Sequence, residues 1–187
     1  VLAGFDAAIS VFGLVKINAV ILRDSNLEEI TDFVAFSNQH GVEVRFIEAM
    51  PLDNDKDQWR ATFVPVSEIR QRIEAQGYEL DADGPSVGYG PSTSWRVVGT
   101  QARLGFISQM SCTQCATCNK LRVTADATLR PCLLAPDEVP LANIVRRRDA
   151  DALASALRVA FLTREAQYSL RDATTSPLGR SMQCIGG

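Results

Sequence analysis

Four of the chain's five cysteines, Cys112, Cys115, Cys118 and Cys132, fall within one short stretch at metal-site spacing. Cys115 and Cys118 are separated by two residues, so a tight turn can bring both sulfurs to one side. Leu121, Val123 and Leu129 then outline two short strands around the turn Ala125-Asp126-Ala127-Thr128. That fold-back returns Cys132 towards the Cys115/Cys118 pair as a third thiol. Three chemistries use such a set. A structural disulfide needs an oxidising compartment, and nothing in the sequence marks secretion. A tetrahedral zinc site would draw on all four thiolates. An iron–sulfur cluster is favoured by Lys120 and Arg122, two cations directly after the pair. Residues two apart on a strand share a face, so both could hold an anionic ligand beside the cluster.

Other residues invite a chemical reading. Lys16 lies between Val15 and Ile17 on a strand, with its side chain opposite to theirs, as either an anion ligand or a snorkelling strand-end lysine. Arg45 alternates with Val44 and Phe46 and so shares the face of Glu43 and Ile47; an ion pair with Glu43 or Glu48 is its structural alternative. Met50, at a strand end, also suits plain core packing. His40, the single histidine, sits at a helix end before Gly41, where imidazole can bond the last carbonyls. Arg146-Arg147-Arg148 suits a solvated helix terminus, where cations offset the carbonyl dipole. Cys184 stands alone near a Gly186-Gly187 ending. Ubiquitin-like sulfur carriers also end in two glycines, but they are small β-grasp domains without a cysteine cluster.

The run Cys115-x2-Cys118-Asn119-Lys120-Leu121-Arg122-Val123-Thr124-Ala125-Asp126, followed by Leu129-Arg130-Pro131-Cys132-Leu133, resembles a known signature. It is similar to the C-terminal cluster motif of the molybdenum cofactor biosynthesis protein A family, the radical-SAM GTP 3′,8-cyclases. The tail from Arg180 to Gly187 is similar to that family's Gly-Gly ending. The resemblance runs from Val15-Lys16-Ile17-Asn18 to Gly187 and covers only the C-terminal half of a family member. It implies conversion of GTP to (8S)-3′,8-cyclo-7,8-dihydroguanosine 5′-triphosphate in molybdopterin synthesis. There, reductive cleavage of S-adenosylmethionine (SAM) gives a radical that abstracts a ribose hydrogen, and the ribose carbon attacks C8 of guanine. By resemblance Cys115, Cys118 and Cys132 ligate a [4Fe-4S] cluster whose open iron holds the guanine. Lys16, Lys120, Leu121 and Arg122 are implied to bind GTP, and Met50 to contact SAM. Arg45 lies on the active-site strand, and Gly186 and Gly187 reach into the active site, where glycine permits close backbone approach. The second [4Fe-4S] cluster belongs to the N-terminal half. Its cysteine triad is absent from these residues, so the chain alone is expected to be inactive. Three positions depart from the family pattern: Lys120 replaces an arginine, Gln114 an aromatic residue, and Cys112 adds a thiol that could close the cluster.

The elements that position these residues read as α/β. Residues 1–14 include a helical pattern from Leu2 that Gly13 is expected to end, and a strand covers Val15–Leu22. Asn26 is expected to cap the next helix, with Glu28 and Glu29 in its first turn. Ile30, Phe33, Val34 and Ser37 form its inner face, and Gly41 stops it. Val42–Glu48 is the second strand, so strand, helix and strand suggest a parallel pair. Ser67 is expected to cap a helix reaching about Gln76, with Ile69 and Ile73 buried. Residues 81–93 read as a long loop, followed by strands Trp95–Val98 and Arg103–Ile107. A short helix over Leu141–Val145 precedes an amphipathic one starting at Asp149 or Asp151, through Leu153, Leu157, Ala160, Phe161 and Arg164. The expected architecture is the C-terminal part of an incomplete (βα) radical-SAM barrel (1–50), then an α+β domain with the cluster and tail (51–187). The polar connector after Pro51 sets that boundary.

Composition narrows the partners. With 187 residues and 46% hydrophobic content the chain can bury a core. A net charge of −3 and pI near 5.2 argue against general nucleic-acid binding, but not against a nucleotide in a local cationic pocket. No apolar run approaches a membrane span and no signal peptide is visible, so a reducing cytoplasm is expected. The first residue, Val1, suggests a piece of a longer protein. GTP, the next enzyme of the molybdopterin pathway and a homodimer mate are the candidate partners. A zinc-binding module and an iron–sulfur electron carrier remain the rival functions.

Overall fold

The computed structural model describes residues 1–51, 56–85, 92–111, 120–132 and 137–162. They form two compact units, residues 1–50 with 60–112, and residues 51–59 with 113–187. Compactness thus groups the chain differently from the division at Pro51 expected from the sequence. The reason lies in strand pairing.

In the first unit, β1 (Lys16–Ile21) and β2 (Glu43–Glu48) pair in parallel through α2 (Ile30–His40). β2 then pairs in parallel with β5 (Arg103–Ile107), which continues antiparallel to β4 (Thr93–Val97) and β3 (Leu80–Pro85). The result is one mixed sheet in the order β1-β2-β5-β4-β3. It is built from segments on both sides of Pro51. One face carries Ala19, Ile21, Val44, Phe46, Leu104 and Phe106, all buried. Helix α2 and helix α4 (Val66–Ala75) lay Ile30, Val34, Ile69 and Ile73 into the same core. Phe46 stands at its centre, with Phe106 stacked at 5.8 Å and Phe33 edge-on at 6.0 Å. Ser37, fully buried, donates to the Val42 carbonyl at 2.7 Å and accepts from the Arg103 amide at 3.0 Å.

Helix α1 (Leu2–Val11) buries Phe5, whose ring meets Phe36 at 4.9 Å and His40 at 5.1 Å. His40 therefore belongs to an aromatic cluster at the end of α2. Gly41 closes α2 with φ +66°, the left-handed geometry expected of a glycine stop. Two expected caps are corrected. A 3-10 turn (Leu27–Glu29) precedes α2, and Asn26 makes no side-chain cap. Its Oδ1 accepts from the Leu22 amide at 2.8 Å and its Nδ2 donates to the Val20 carbonyl at 2.9 Å, stitching the end of β1. Ser67 lies inside α4, whose N-cap is Pro65. The reading of 81–93 as a loop is also corrected, because Leu80–Pro85 pairs with β4 and only 86–91 lie outside the described residues. Cross-strand pairing overrode the loop-like composition.

The helix α3 (Lys56–Thr62) is followed by a bridge from Leu22 to Phe63. Arg23 binds Glu68 of α4 through two hydrogen bonds of 2.9 and 2.7 Å. The Arg23 hydrogen bond holds the Glu68 carboxyl below its ordinary range. A depressed folded-state value contributes stability above the unfolded carboxyl's titration range, and that contribution fades as pH falls through the folded one. Glu68→Gln should cost about 0.2–1 kcal/mol at neutral pH. In thermal melts the gap from wild type should shrink on acidification; a gap independent of pH would contradict this.

The second unit holds a three-stranded antiparallel sheet, β6 (Arg122–Val123), β7 (Thr128–Arg130) and β8 (Val139–Pro140). Its hairpin turn matches the sequence reading. The Thr124 amide donates to the Thr128 carbonyl at 2.9 Å, and the Thr124 hydroxyl bonds Asp126. Helices α5 (Ala142–Arg146) and α6 (Ala150–Leu162) follow. Asp149 caps α6 through the Ala152 amide at 2.9 Å. Leu129, Leu141 and Ala160 form the core, with Leu153 and Leu157 against it. Phe161 is 47% exposed, so it leaves the inner face expected for it; Arg164 lies outside the described residues. Arg146, Arg147 and Arg148 are exposed at the end of α5, as a solvated helix terminus would be.

Candidate functional site

The sheet face turned away from the core carries a cluster of charged groups. Period-2 alternation puts Lys16, Glu43 and Arg45 there, opposite Ile17, Val44 and Phe46. Lys16 stands across from Glu43, and Arg45 lies between Asn18 on β1 and Gly105 on β5. Glu43, 8% exposed, holds both cations: its Oε2 is 3.4 Å from Lys16 Nζ and its Oε1 accepts from Arg45 Nε at 2.8 Å. The ion pair foreseen for Arg45 is thus made with Glu43. Two cations around one carboxylate leave these three side chains with a net positive charge, suited to an anion.

Gly105 makes that arrangement possible. A Cβ there would lie 2.5 Å from Ser92 Oγ, 2.7 Å from Arg45 Cγ and 3.0 Å from Glu43 Oε1. Ser92 can turn aside. The Arg45 stem cannot, because its Nε is held by Glu43. Sequence reading passed over Gly105, although an isolated glycine inside a strand often marks such a close approach. Met50, two residues beyond the end of β2, is half-buried.

In the second unit, Lys120 is exposed just ahead of β6, while Arg122 begins that strand and is half-buried. Leu121 packs against the Leu129 core. Arg122 pairs with Arg130 across the hairpin. Arg130 is fully buried, and its Nη1 donates to Glu138 Oε1 at 3.2 Å. A buried arginine demands such a partner, and the sequence reading did not single out this pair. Two residues on, Cys132 is a free, half-buried thiol. Cys112, Cys115, Cys118, Cys184, Gly186 and Gly187 lie outside the described residues. Among the described residues no group of three His, Cys, Asp or Glu side chains could hold a metal ion. No helix among them is long and apolar enough to cross a membrane.

These features define a mixed α/β protein with two cations around one carboxylate on a sheet face and a thiol-bearing hairpin unit. Residues 42–170 match the family described as Molybdenum Cofactor Synthesis C, and the chain belongs to that family. It is 37% identical over its whole length to a GTP 3′,8-cyclase of Ectopseudomonas mendocina, covering 57% of that protein. A GTP 3′,8-cyclase of Picosynechococcus is 37% identical over 94% of the chain and 54% of its own length. One from Heliobacterium modesticaldum is 34% identical over 92% of the chain and 53% of its own length. The chain spans about half the length of the curated relatives it matches.

Proposed function

We propose that the chain is the C-terminal, substrate-binding portion of a GTP 3′,8-cyclase acting in molybdenum cofactor synthesis. The observation that carries this is similarity over the whole chain to about half of each cyclase. The clustered cations Lys16 and Arg45 add independent support, because a triphosphate needs such a face. In this reading residues 1–50 are the last βα units of an incomplete radical-SAM barrel and 51–187 the molybdenum cofactor synthesis domain.

Cys115, Cys118 and Cys132 would hold a [4Fe-4S] cluster. The donor set fits: three thiols at cluster spacing, with Cys132 outside any disulfide and half-buried just beyond a hairpin strand. When bound, the cluster supplies a Lewis-acidic iron for the guanine. The protein's own residues position the nucleotide. Lys16 and Arg45 present charge from β1 and β2, and Glu43 fixes their direction. Lys120, Leu121 and Arg122 contribute from the hairpin. Met50 would meet SAM, and Gly186 and Gly187 would come close to the nucleotide. SAM and a second [4Fe-4S] cluster would act in the whole enzyme. GTP is then the substrate, the next molybdopterin enzyme the receiver of product, a homodimer a candidate assembly, and a reducing cytoplasm the setting.

Titration of GTP into the anaerobically reconstituted protein tests this reading. GTP should perturb the spectrum of the reduced cluster, and Arg122→Ala should weaken binding by about 1.5–3 kcal/mol, the range for a hydrogen bond to a charged group. Unchanged affinity in that variant would reject the assignment, and zinc without sulfide would favour a zinc module.

A further inference from the structure

Asn18 lies on the same face of β1 as Lys16, directly across from Arg45. The six side chains that β1 and β2 place on this face form three rows: Lys16 with Glu43, Asn18 with Arg45, and Val20 with Ile47. The first row is charged and the last is apolar. Asn18 is the one uncharged group of the six that can both donate and accept a hydrogen bond. Its side chain is exposed, and among the described residues nothing is hydrogen-bonded to its amide.

Other asparagines of this unit serve the fold. Asn26 accepts from the Leu22 amide and donates to the Val20 carbonyl, and Asn38 accepts from the Gln101 amide at 2.9 Å. Asn18 has no such task. Asparagine is also depleted in strands, where β-branched residues such as its neighbours Ile17, Val20 and Ile21 fit best. No contact within the fold calls for an amide at this position. A ligand with hydrogen-bonding groups would.

We infer that Asn18 contacts the sugar of the bound nucleotide and makes the site selective for ribose. This rests on the proposed function, which puts the phosphates at Lys16 and Arg45 and SAM at Met50. Lys16 opens β1, Met50 follows the end of β2, and the two strands run parallel. The phosphates therefore lie towards the start of the strands and SAM towards their end. The ribose joins the phosphates and faces SAM, so it falls between them. Asn18 stands there, about 6.6 Å along β1 from Lys16. Its amide suits a sugar hydroxyl, which can accept from the NH2 and donate to the oxygen. The cations hold phosphate whatever sugar is attached, whereas Asn18 reads the sugar itself.

Calorimetry on the anaerobically reconstituted protein makes the test, with GTP, 2′-deoxy-GTP, 3′-deoxy-GTP and inorganic tripolyphosphate as ligands. Asn18→Ala should weaken GTP roughly three- to tenfold, the scale of one neutral hydrogen bond, and leave tripolyphosphate unchanged. Lys16→Ala should weaken both. The wild-type protein should bind at least one deoxynucleotide more weakly than GTP, and Asn18→Ala should lose that distinction. If Asn18→Ala does not fold, Asn18→Val takes its place, since valine favours strands and also lacks a hydrogen-bonding group. Three results would each overturn the inference: wild-type GTP affinity in the folded variant, equal losses of GTP and tripolyphosphate, or undiminished discrimination against the deoxynucleotides. In all three the wild-type protein still binds GTP, and the proposed function stands. If the wild-type protein binds neither GTP nor tripolyphosphate, the functional reading itself fails and the inference falls with it.

Discussion

Cys132→Ala should leave the reconstituted protein without iron or acid-labile sulfide. In the proposed three-thiolate site, removing one ligand leaves two, too few to retain the cluster. The fold should survive the change. Cys132 lies beyond β7, whose buried Leu129 and Thr124–Thr128 hydrogen bonds hold the hairpin without it. Metal and sulfide analysis after anaerobic preparation reads the result, with circular dichroism as the control. Cys115→Ala and Cys118→Ala should behave alike, and Cys112→Ala should load normally. Equal loss in all four would mean a four-thiolate site and defeat the three-ligand reading.

Phe46→Ala should destabilise the first unit by about 3–5 kcal/mol, the range for truncating a buried phenylalanine. Phe46 is fully buried in β2, with strands on both sides and rings from Phe33 and Phe106 in contact. Neither neighbour can collapse easily into the vacated volume, because one is carried on α2 and the other on β5. Urea unfolding measures the cost. A loss below about 1 kcal/mol would show a core that repacks freely. GTP affinity of the folded fraction should change little, since Phe46 faces away from Lys16 and Arg45.

Local patterns in the sequence carried a good part of this fold. Alternation on Val44, Arg45 and Phe46 assigned Arg45 to the polar face, and the structure places it there beside Glu43. The helix stop at Gly41 and the hairpin turn before Thr128 were equally legible, because each depends on neighbouring residues. What escaped depends on partners far along the chain. Asn26 looks like a helix cap, yet two strand groups compete for its amide. Leu80–Pro85 has a loop's composition, and only β4 makes it a strand. Buried Glu48 offered no local sign that its four donors would come from Val66 in α4 and from Met110 and Ser111 in the turn after β5. Of the candidate site, residue types and spacing were readable, but the sharing of Glu43 by Lys16 and Arg45, and the need for Gly105, are properties of three strands together.

The pairing of β2 with β5 also sets an order of events during synthesis. Glu43 waits for Arg103, about 60 residues later, before its strand gains a second neighbour. Emerging at roughly 5–20 residues per second, the chain exposes the free edge of β2 for several seconds. Until β5 arrives, Phe46 lacks Phe106 and Glu48 lacks the turn that supplies most of its donors. Closing so long a loop makes this sheet a slow step relative to the hairpin of the second unit. The cysteine stretch follows β5 directly, so its thiols leave the ribosome just as the strand that completes the sheet becomes available.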